Sequence, residues 1–330
     1  MGGRQQPNLE WNTRMVLRPG IAARIFNTPL LMHPGKLDAA LAGIGERIVE
    51  GGVVLQGAGD RIDHVAFDGR PLAGRIGDKV GRMLDDSGRQ PFAIIDGVAL
   101  IPIEGTLVHK GAYVGAYSGR TSYEGLQAQV LRTMRDPGIK GVVFEVDSFG
   151  GELAGAFETA DLIARLSAEK PTLAILTDHA LSAGYLLASA ARQIIIPEHG
   201  RAGSIGVVTL HADLSAALEQ RGIKVTVLRA GAQKMAANAF EPLSDRAVQR
   251  MLSDLEAART TFADSIGRYR GKRFTPQAAL ATEAQDYRGS EAVALGLADA
   301  TGHALEAFDG FVRAINAKNS AHAFRANSPR

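Results

Sequence analysis

Gly141-Val-Val-Phe-Glu-Val-Asp-Ser-Phe-Gly-Gly151 is the stretch that decides the fold. Its first half, Val142 to Val146, is an apolar run of strand length, and its second half is a turn that ends in paired glycines. A helical pattern follows over about 152–168, so the unit reads strand, glycine turn, helix. Paired glycines at such a junction present backbone N–H groups at a helix N-terminus, suited to a phosphate or an oxyanion. Neither the G-x-G-x-x-G nor the G-x-x-x-x-G-K-[ST] nucleotide pattern occurs around it.

The same alternation extends outward. Apolar runs at 93–103, 141–146, 172–177, 193–196, 205–210 and 225–228 predict strands, several of them buried on both faces. Helical spacing falls between them at about 121–135, 152–168, 181–191 and 211–221. Alternating strands and helices predict an α/β fold with a largely parallel sheet and flanking helices. A long amphipathic helix is expected over 243–270, with shorter ones near 275–283, 290–296 and 304–317. Ahead of this domain, Lys36-Leu-Asp-Ala-Ala-Leu-Ala-Gly-Ile-Gly-Glu-Arg-Ile48 has helical spacing, residues 1–20 are polar, and residues 51–91 read as a Gly-, Asp- and Arg-rich linker. The division is therefore a helical N-terminal extension and linker at 1–91, a main domain at 92–302, and a C-terminal helix with a disordered tail at 303–330.

Composition excludes several classes of function. The 330 residues are 45% hydrophobic and 22% charged, with a formal charge of +2 from 37 basic and 35 acidic side chains. That balance offers no nucleic-acid footprint. The chain has no cysteine, which removes disulfides, thiol nucleophiles and thiolate metal sites and fits a reducing compartment. With no apolar run approaching a membrane span and no signal-like N-terminus, a cytoplasmic protein without a membrane anchor is expected.

Two side chains stand out as chemistry. Ser182, in Leu181-Ser-Ala-Gly-Tyr185, lies between a strand exit and an apolar helix. A serine there can be a simple helix cap, but Ala183 and Gly184 leave room for a substrate backbone over the hydroxyl. A hydroxyl needs a base. None of the eight histidines has a convincing setting, and each reads as structural. Lys234 is the one ionisable side chain between Ala230 and Phe240, a setting in which burial could suppress its charge. Bringing a lysine from about 10.4 to neutrality costs about 4 kcal/mol, so desolvation has to be thorough. Ser204, in Ala202-Gly-Ser-Ile-Gly-Val207, reads equally as a turn serine or as a polar site residue.

The chain resembles the signal peptide peptidase A-like serine peptidases, which share the crotonase/Clp-protease superfold. The segments that carry the resemblance are Ile101-Pro-Ile-Glu-Gly105, Val146-Asp-Ser-Phe-Gly-Gly151, Leu181-Ser-Ala-Gly-Tyr185, Gly203-Ser-Ile-Gly-Val207, Gly231-Ala-Gln-Lys234 and Ala294-Leu-Gly-Leu-Ala-Asp299. The resemblance implies Ser182 as nucleophile, Lys234 as general base and Ser204 as the group that orients the lysine. It implies backbone N–H groups of Gly150 and Ala183 as the oxyanion hole and a substrate strand beside Phe149 and Gly151, with no metal or cofactor. It also implies homo-oligomers whose active sites lie near subunit contacts. Asp147 and Phe149 stand where relatives often have Asn and Pro, which alters the shape of the substrate strand.

The front segment Phe26-Asn-Thr-Pro-Leu-Leu-Met-His33 resembles the leader of the phage branch of that family, the head-maturation proteases that cut scaffold and capsid proteins inside the immature shell. The expectation is a serine endopeptidase of that kind, acting on protein substrates in the host cytoplasm. A bacterial cytosolic peptidase for signal peptides and a non-catalytic capsid- or scaffold-binding protein on the same fold are the alternatives.

Overall fold

A computed structural model describes residues 26–37, 91–110 and 119–326, with side chains as far as residue 317. The expected polar leader at 1–20, the linker at 51–91 and most of the helix expected over 36–48 lie outside the described residues. Among those described, residues 34–37 form the first turn of that helix.

Ten strands form one sheet: β1 (Leu30–Met32), β2 (Ala93–Ile95), β3 (Val98–Val108), β4 (Arg120–Ser122), β5 (Gly141–Glu152), β6 (Thr172–Leu181), β7 (Gln193–Ile196), β8 (Arg201–Gly203), β9 (Asp286–Arg288) and β10 (Ala300–Thr301). The main path runs β10-β7-β6-β5-β3-β2, and every neighbouring pair on it is parallel except the β2–β3 hairpin. The expected α/β fold with a largely parallel sheet is therefore present. The run expected as one strand over 93–103 is a hairpin instead, because Asp96 and Gly97 both take positive φ (49° and 79°), the geometry of a tight two-residue turn.

Alternate residues of the central strands face two different cores. Val142, Phe144 and Val146 of β5 pack with Ala174 and Leu176 of β6 into the larger core. The opposite face of the same strands gives Val143, Leu173 and Ile175 to the smaller one. Helices α1 (Tyr123–Arg135), α2 (Ala156–Glu169), α3 (Ala183–Ser189) and the long α5 (Asp245–Arg270) contribute to the first core. Helix α8 (Ala304–Ala326) closes the second through Val312 and Ile315. Burial on both faces is why these strands read as continuous apolar runs rather than as alternating ones.

Helix starts follow local chemistry. Ser122 caps α1 by accepting from Gly125 N, and Ser244 caps α5 by accepting from Ala247 N. Thr275 caps α6 (Pro276–Ala281), with proline where a missing N–H costs nothing. The end of α5 is fixed by Arg270, a fully buried guanidinium paired with Asp299 at 3.0 Å, just after α7 (Gly289–Leu295).

Further expectations do not hold. Residues 225–228 are not a strand: they find no sheet neighbour among the described residues, and Val225 and Leu228 are exposed. The run 205–210 makes only isolated bridges, to Phe26 and Leu30. The helix expected over 211–221 shrinks to α4 (Ser215–Gln220). At the other end of the chain, α8 continues past Asn319, where a disordered tail was expected, over a stretch with three alanines before Pro329. Residues beyond 326 lie outside the described ones.

Candidate active site

The site is assembled at the C-terminal ends of β5, β6 and β8. Strand β6 runs parallel to β5 as far as the pair Ser148↔Ala180 and to β8 through Leu181↔Gly203. The next residue on each of β6 and β8 is a serine. Ser182 and Ser204 therefore stand side by side, and Ser182 N donates to Gly203 O at 2.8 Å.

Both serines hold strained backbone. Ser182 has φ 54° and ψ −120°, and Ser204 has φ 56°. A non-glycine residue in such a region costs about 1–3 kcal/mol and persists where the surroundings over-determine it. For Ser182 those surroundings are β6 on one side and α3 on the other, with Leu186 N accepted by Ser182 O at 3.0 Å. Tyr185, fully buried, donates its hydroxyl to Leu297 O at 2.9 Å and anchors α3. Burial holds that hydroxyl far above its ordinary pKa, so it stays a donor at any working pH.

The Ser182 side chain caps nothing: its Oγ is buried and has no hydrogen-bond partner among the described residues. The simple capping role considered for Ser182 is thereby excluded. A buried unpaired hydroxyl ordinarily costs about 1–3 kcal/mol, so its presence calls for a reason beyond folding.

The glycine turn lies against it. At Gly150 (φ 97°) an added Cβ would stand 2.9 Å from Ser182 Cβ and 2.1 Å from Leu31 O, and at Gly151 it would stand 1.9 Å from Leu107 O. Neither position can carry a side chain. At Gly184 the added carbon would meet Ser148 O at 2.8 Å, which lets α3 approach the turn closely. The resemblance assigned the Gly150 N–H to an oxyanion hole. In this structure it donates to Ser148 Oγ at 3.1 Å, and that hydroxyl donates to Gly105 O at 2.7 Å. Ala183 is buried as the first residue of α3, where intrahelical acceptors are lacking.

Phe149 roofs the turn. Its ring stacks on His179 at 4.4 Å, takes the edge of His33 at 6.2 Å, and has Lys36 Nζ 4.8 Å above it. His179 Nδ1 is 3.5 Å from Asp147 Oδ1, and His33 Nε2 is 3.7 Å from Asp286 Oδ1, a carboxylate that also pairs with Arg201. His33 and His179 were read as structural from sequence, and both touch the site's roof. Ser148, His33 and the strand Leu30–Met32 were missed as site elements. Their contacts join residues more than a hundred positions apart, or depend on a turn conformation that spacing does not encode.

Lys234 is not where its expected role needs it. It is exposed, on an irregular arm running from Ile205 to Pro242, and Ser182 Oγ receives no hydrogen bond from it. Among the described residues nothing covers 230–235, so they do not supply the desolvation expected for this lysine. Of the residues expected to form the site, a single chain brings together Ser182, Ser204, Phe149, Gly150, Gly151 and Ala183, and leaves Lys234 outside.

The site is thus a buried serine on a strained strand-to-helix turn, set against a glycine turn of a parallel sheet. The comparisons identify the family. The sequence profile of Peptidase family S49 matches residues 164–316. The chain is 33% identical over 304 residues, 92% of its length, to capsid assembly protease C of Escherichia phage lambda. It is 32% identical over 299 residues to head-tail preconnector protein GP5 of Enterobacteria phage P21, and 26% identical over 192 residues to a putative signal peptide peptidase SppA of Enterococcus faecium. The chain belongs to peptidase family S49, on the side of its phage capsid proteins, and is a peptidase. It spans 67% of the lambda protein's length and 57% of the P21 protein's. Among solved structures, an enoyl-CoA hydratase/isomerase family member is similar at 19% identity and a TM-score of 0.39 over 68% of this chain and 74% of its own. No helix among the described residues is long and apolar enough to cross a membrane.

Proposed function

We propose that the chain is a Ser–Lys endopeptidase of phage head maturation, with scaffold or capsid proteins as substrates, and that its dyad closes between subunits. The observation that carries this reading is the buried, unpartnered Oγ of Ser182 on a strained turn. Strain and an unpaired hydroxyl are what a nucleophile held ready for attack requires.

In this mechanism Ser182 Oγ attacks the scissile carbonyl while Lys234, neutral under a neighbouring subunit, takes the serine proton. The developing oxyanion is held by the N–H of Ala183 and by an N–H of the Gly150-Gly151 turn. Lys234 then gives its proton to the leaving amine, and water hydrolyses the acyl-enzyme. Ser204, beside Ser182 at the end of β8, would orient the incoming neutral amine. For Gly150 to serve, its bond to Ser148 Oγ has to open.

The arm supports closure between copies. Ile223, Val225, Leu228, Met235 and Phe240 are all at least 39% exposed and sit on the same irregular stretch as Lys234. Clustered exposed apolar side chains of this kind mark an interaction surface. Covering that surface with a second copy would remove water from Lys234 and suppress its charge. The phage relatives bring the substrate class, and the place of action follows as the host cytoplasm inside the immature head.

The test is complementation. Ser182→Ala and Lys234→Ala are each expected to abolish cleavage of a co-expressed scaffold, and mixing the two inactive proteins is expected to restore about a quarter of wild-type activity if neighbours exchange side chains. No restoration, with both variants still oligomeric, rules out the shared dyad.

A further inference from the structure

Strand β1 fills a lane that β6 vacates. Strand β5 pairs with β6 up to Ala180, and from Gly150 onward the same edge pairs with β1 instead, Met32 facing Gly150, Leu31 facing Gly151 and Leu30 facing Glu152 in antiparallel register. The lane opens where Ser182 stands, two residues past Ala180. The Leu31 carbonyl and Ser182 Cβ both lie within 3 Å of the point a Gly150 Cβ would occupy, at 2.1 and 2.9 Å.

The other side of β1 is equally engaged. Leu30 and Val208 exchange both backbone bonds (2.8 and 3.0 Å), and Asn27 N donates to Leu210 O at 2.7 Å. The Asn27 side chain reaches Ala237 O at 3.1 Å and His211 at 3.0 Å. Leu30 and Leu31 are 2% and 0% exposed.

An extended peptide offered to Ser182 needs free backbone edges on both flanks and a carbonyl beside the serine. Those edges are residues 150–152 and 208–210, and this chain's own segment holds both. We propose that Leu30–Met32 is a built-in occupant of the peptide lane, which a substrate must displace, taking over its hydrogen bonds with β5 and Val208. The inference rests on Ser182 being the nucleophile. It also gives the ligand a chemistry: the lane buries two consecutive apolar side chains, so it takes extended peptides with paired apolar residues at the positions of Leu30 and Leu31. A tethered occupant competes at an effective concentration near millimolar, so it lowers apparent substrate affinity by the fraction of time the lane is closed.

The absence of cysteine allows a direct test. In a Leu30→Cys/Val208→Cys double variant, the directly opposed pair is at strand spacing suited to a disulfide. Oxidation should pin β1 and lower cleavage of a scaffold or apolar test peptide by about tenfold or more, and reduction should restore it. Equal rates in both states, with a Ser182→Ala control inactive, overturn the lane and leave the nucleophile standing. On the unmodified chain, a peptidyl aldehyde bonded to Ser182 should abolish hydrogen-exchange protection of the displaced Leu30 amide, while the Val208 amide stays protected by the peptide that replaces it. Retained protection of Leu30 in the adduct overturns the proposal, and failure to form the adduct brings down the nucleophile with it.

Discussion

The end of the sheet that carries Ser182 and the arm that carries Lys234 are built in opposite ways. Around Ser182 every element is doubly constrained: β6 is held between β5 and β7, α3 is buried, and Tyr185 is bonded to Leu297. The arm has a single short helix, α4, and exposes five large apolar side chains. One half of the proposed machinery is thus finished by the fold of a single chain, and the other is left exposed. Strain needs a rigid frame, so the proposed nucleophile belongs to the core. In the proposed mechanism the lysine loses its water on assembly, which would tie proteolysis to an oligomer.

The contrast can be broken most decisively at the catalytic pair. Ser182→Ala should lower cleavage by about 10⁴-fold or more, while Ser182→Gly should do the same and raise the unfolding midpoint, because glycine relieves about 1–3 kcal/mol of backbone strain. A Ser182→Gly protein less stable than wild type would show that the turn is not strained. Next comes Gly151→Ala: its methyl would stand 1.9 Å from the Leu107 carbonyl, so loss of soluble folded protein is expected, read by expression and circular dichroism.

Asp299→Ala tests the frame behind the site. It leaves Arg270 buried and unpaired, at an expected cost of about 3–5 kcal/mol in urea unfolding. Burial raises the Asp299 pKa, but the Arg270 hydrogen bond and charge, the Ile194 N–H and Arg273 together outweigh it and hold the carboxyl below its ordinary value. A depressed carboxyl contributes stability above its unfolded pKa and loses it as pH falls through the lower folded one. The wild type should therefore lose this contribution only at acid pH, below about 4, and the gap between wild type and Asp299→Ala should narrow there. The smallest effect belongs to the arm. Lys234→Ala should leave the stability of the isolated chain unchanged within about 0.5 kcal/mol although it abolishes activity, and a large loss would place the lysine in the frame after all.

Much of this was legible in the sequence, and the division follows the same contrast. Parallel strands buried on both faces leave apolar runs that cannot be mistaken, so Val142–Val146 and the run from Thr172 announced the sheet. The glycine turn and Ser182 were readable because turn chemistry is local. The peptidase family, its phage branch and the α/β fold were expected and hold. The strand expected at 225–228 failed because β-branched residues signal a strand only where a neighbouring edge exists, and here Val225 and Val227 meet none. The burial of Lys234 was inferred from uncharged sequence neighbours, yet desolvation depends on what packs over a side chain in space. His33 beside Phe149, and Leu30 beside Val208, join distant segments through pairing that no local pattern encodes.

The chain doubles back on itself where β3 meets β4. Gly105 and Gly119 come so close that a carbon added to Gly105 would sit 2.2 Å from the Gly119 carbonyl, and Thr106 N is bonded to that carbonyl at 2.9 Å. Below this clasp, β3 and β4 remain zipped from Thr106↔Arg120 to Val108↔Ser122. Ser148 Oγ is bonded to the carbonyl of Gly105, so a side chain at position 105 would push β4 off β3 and carry that shift into the glycine turn beside Ser182.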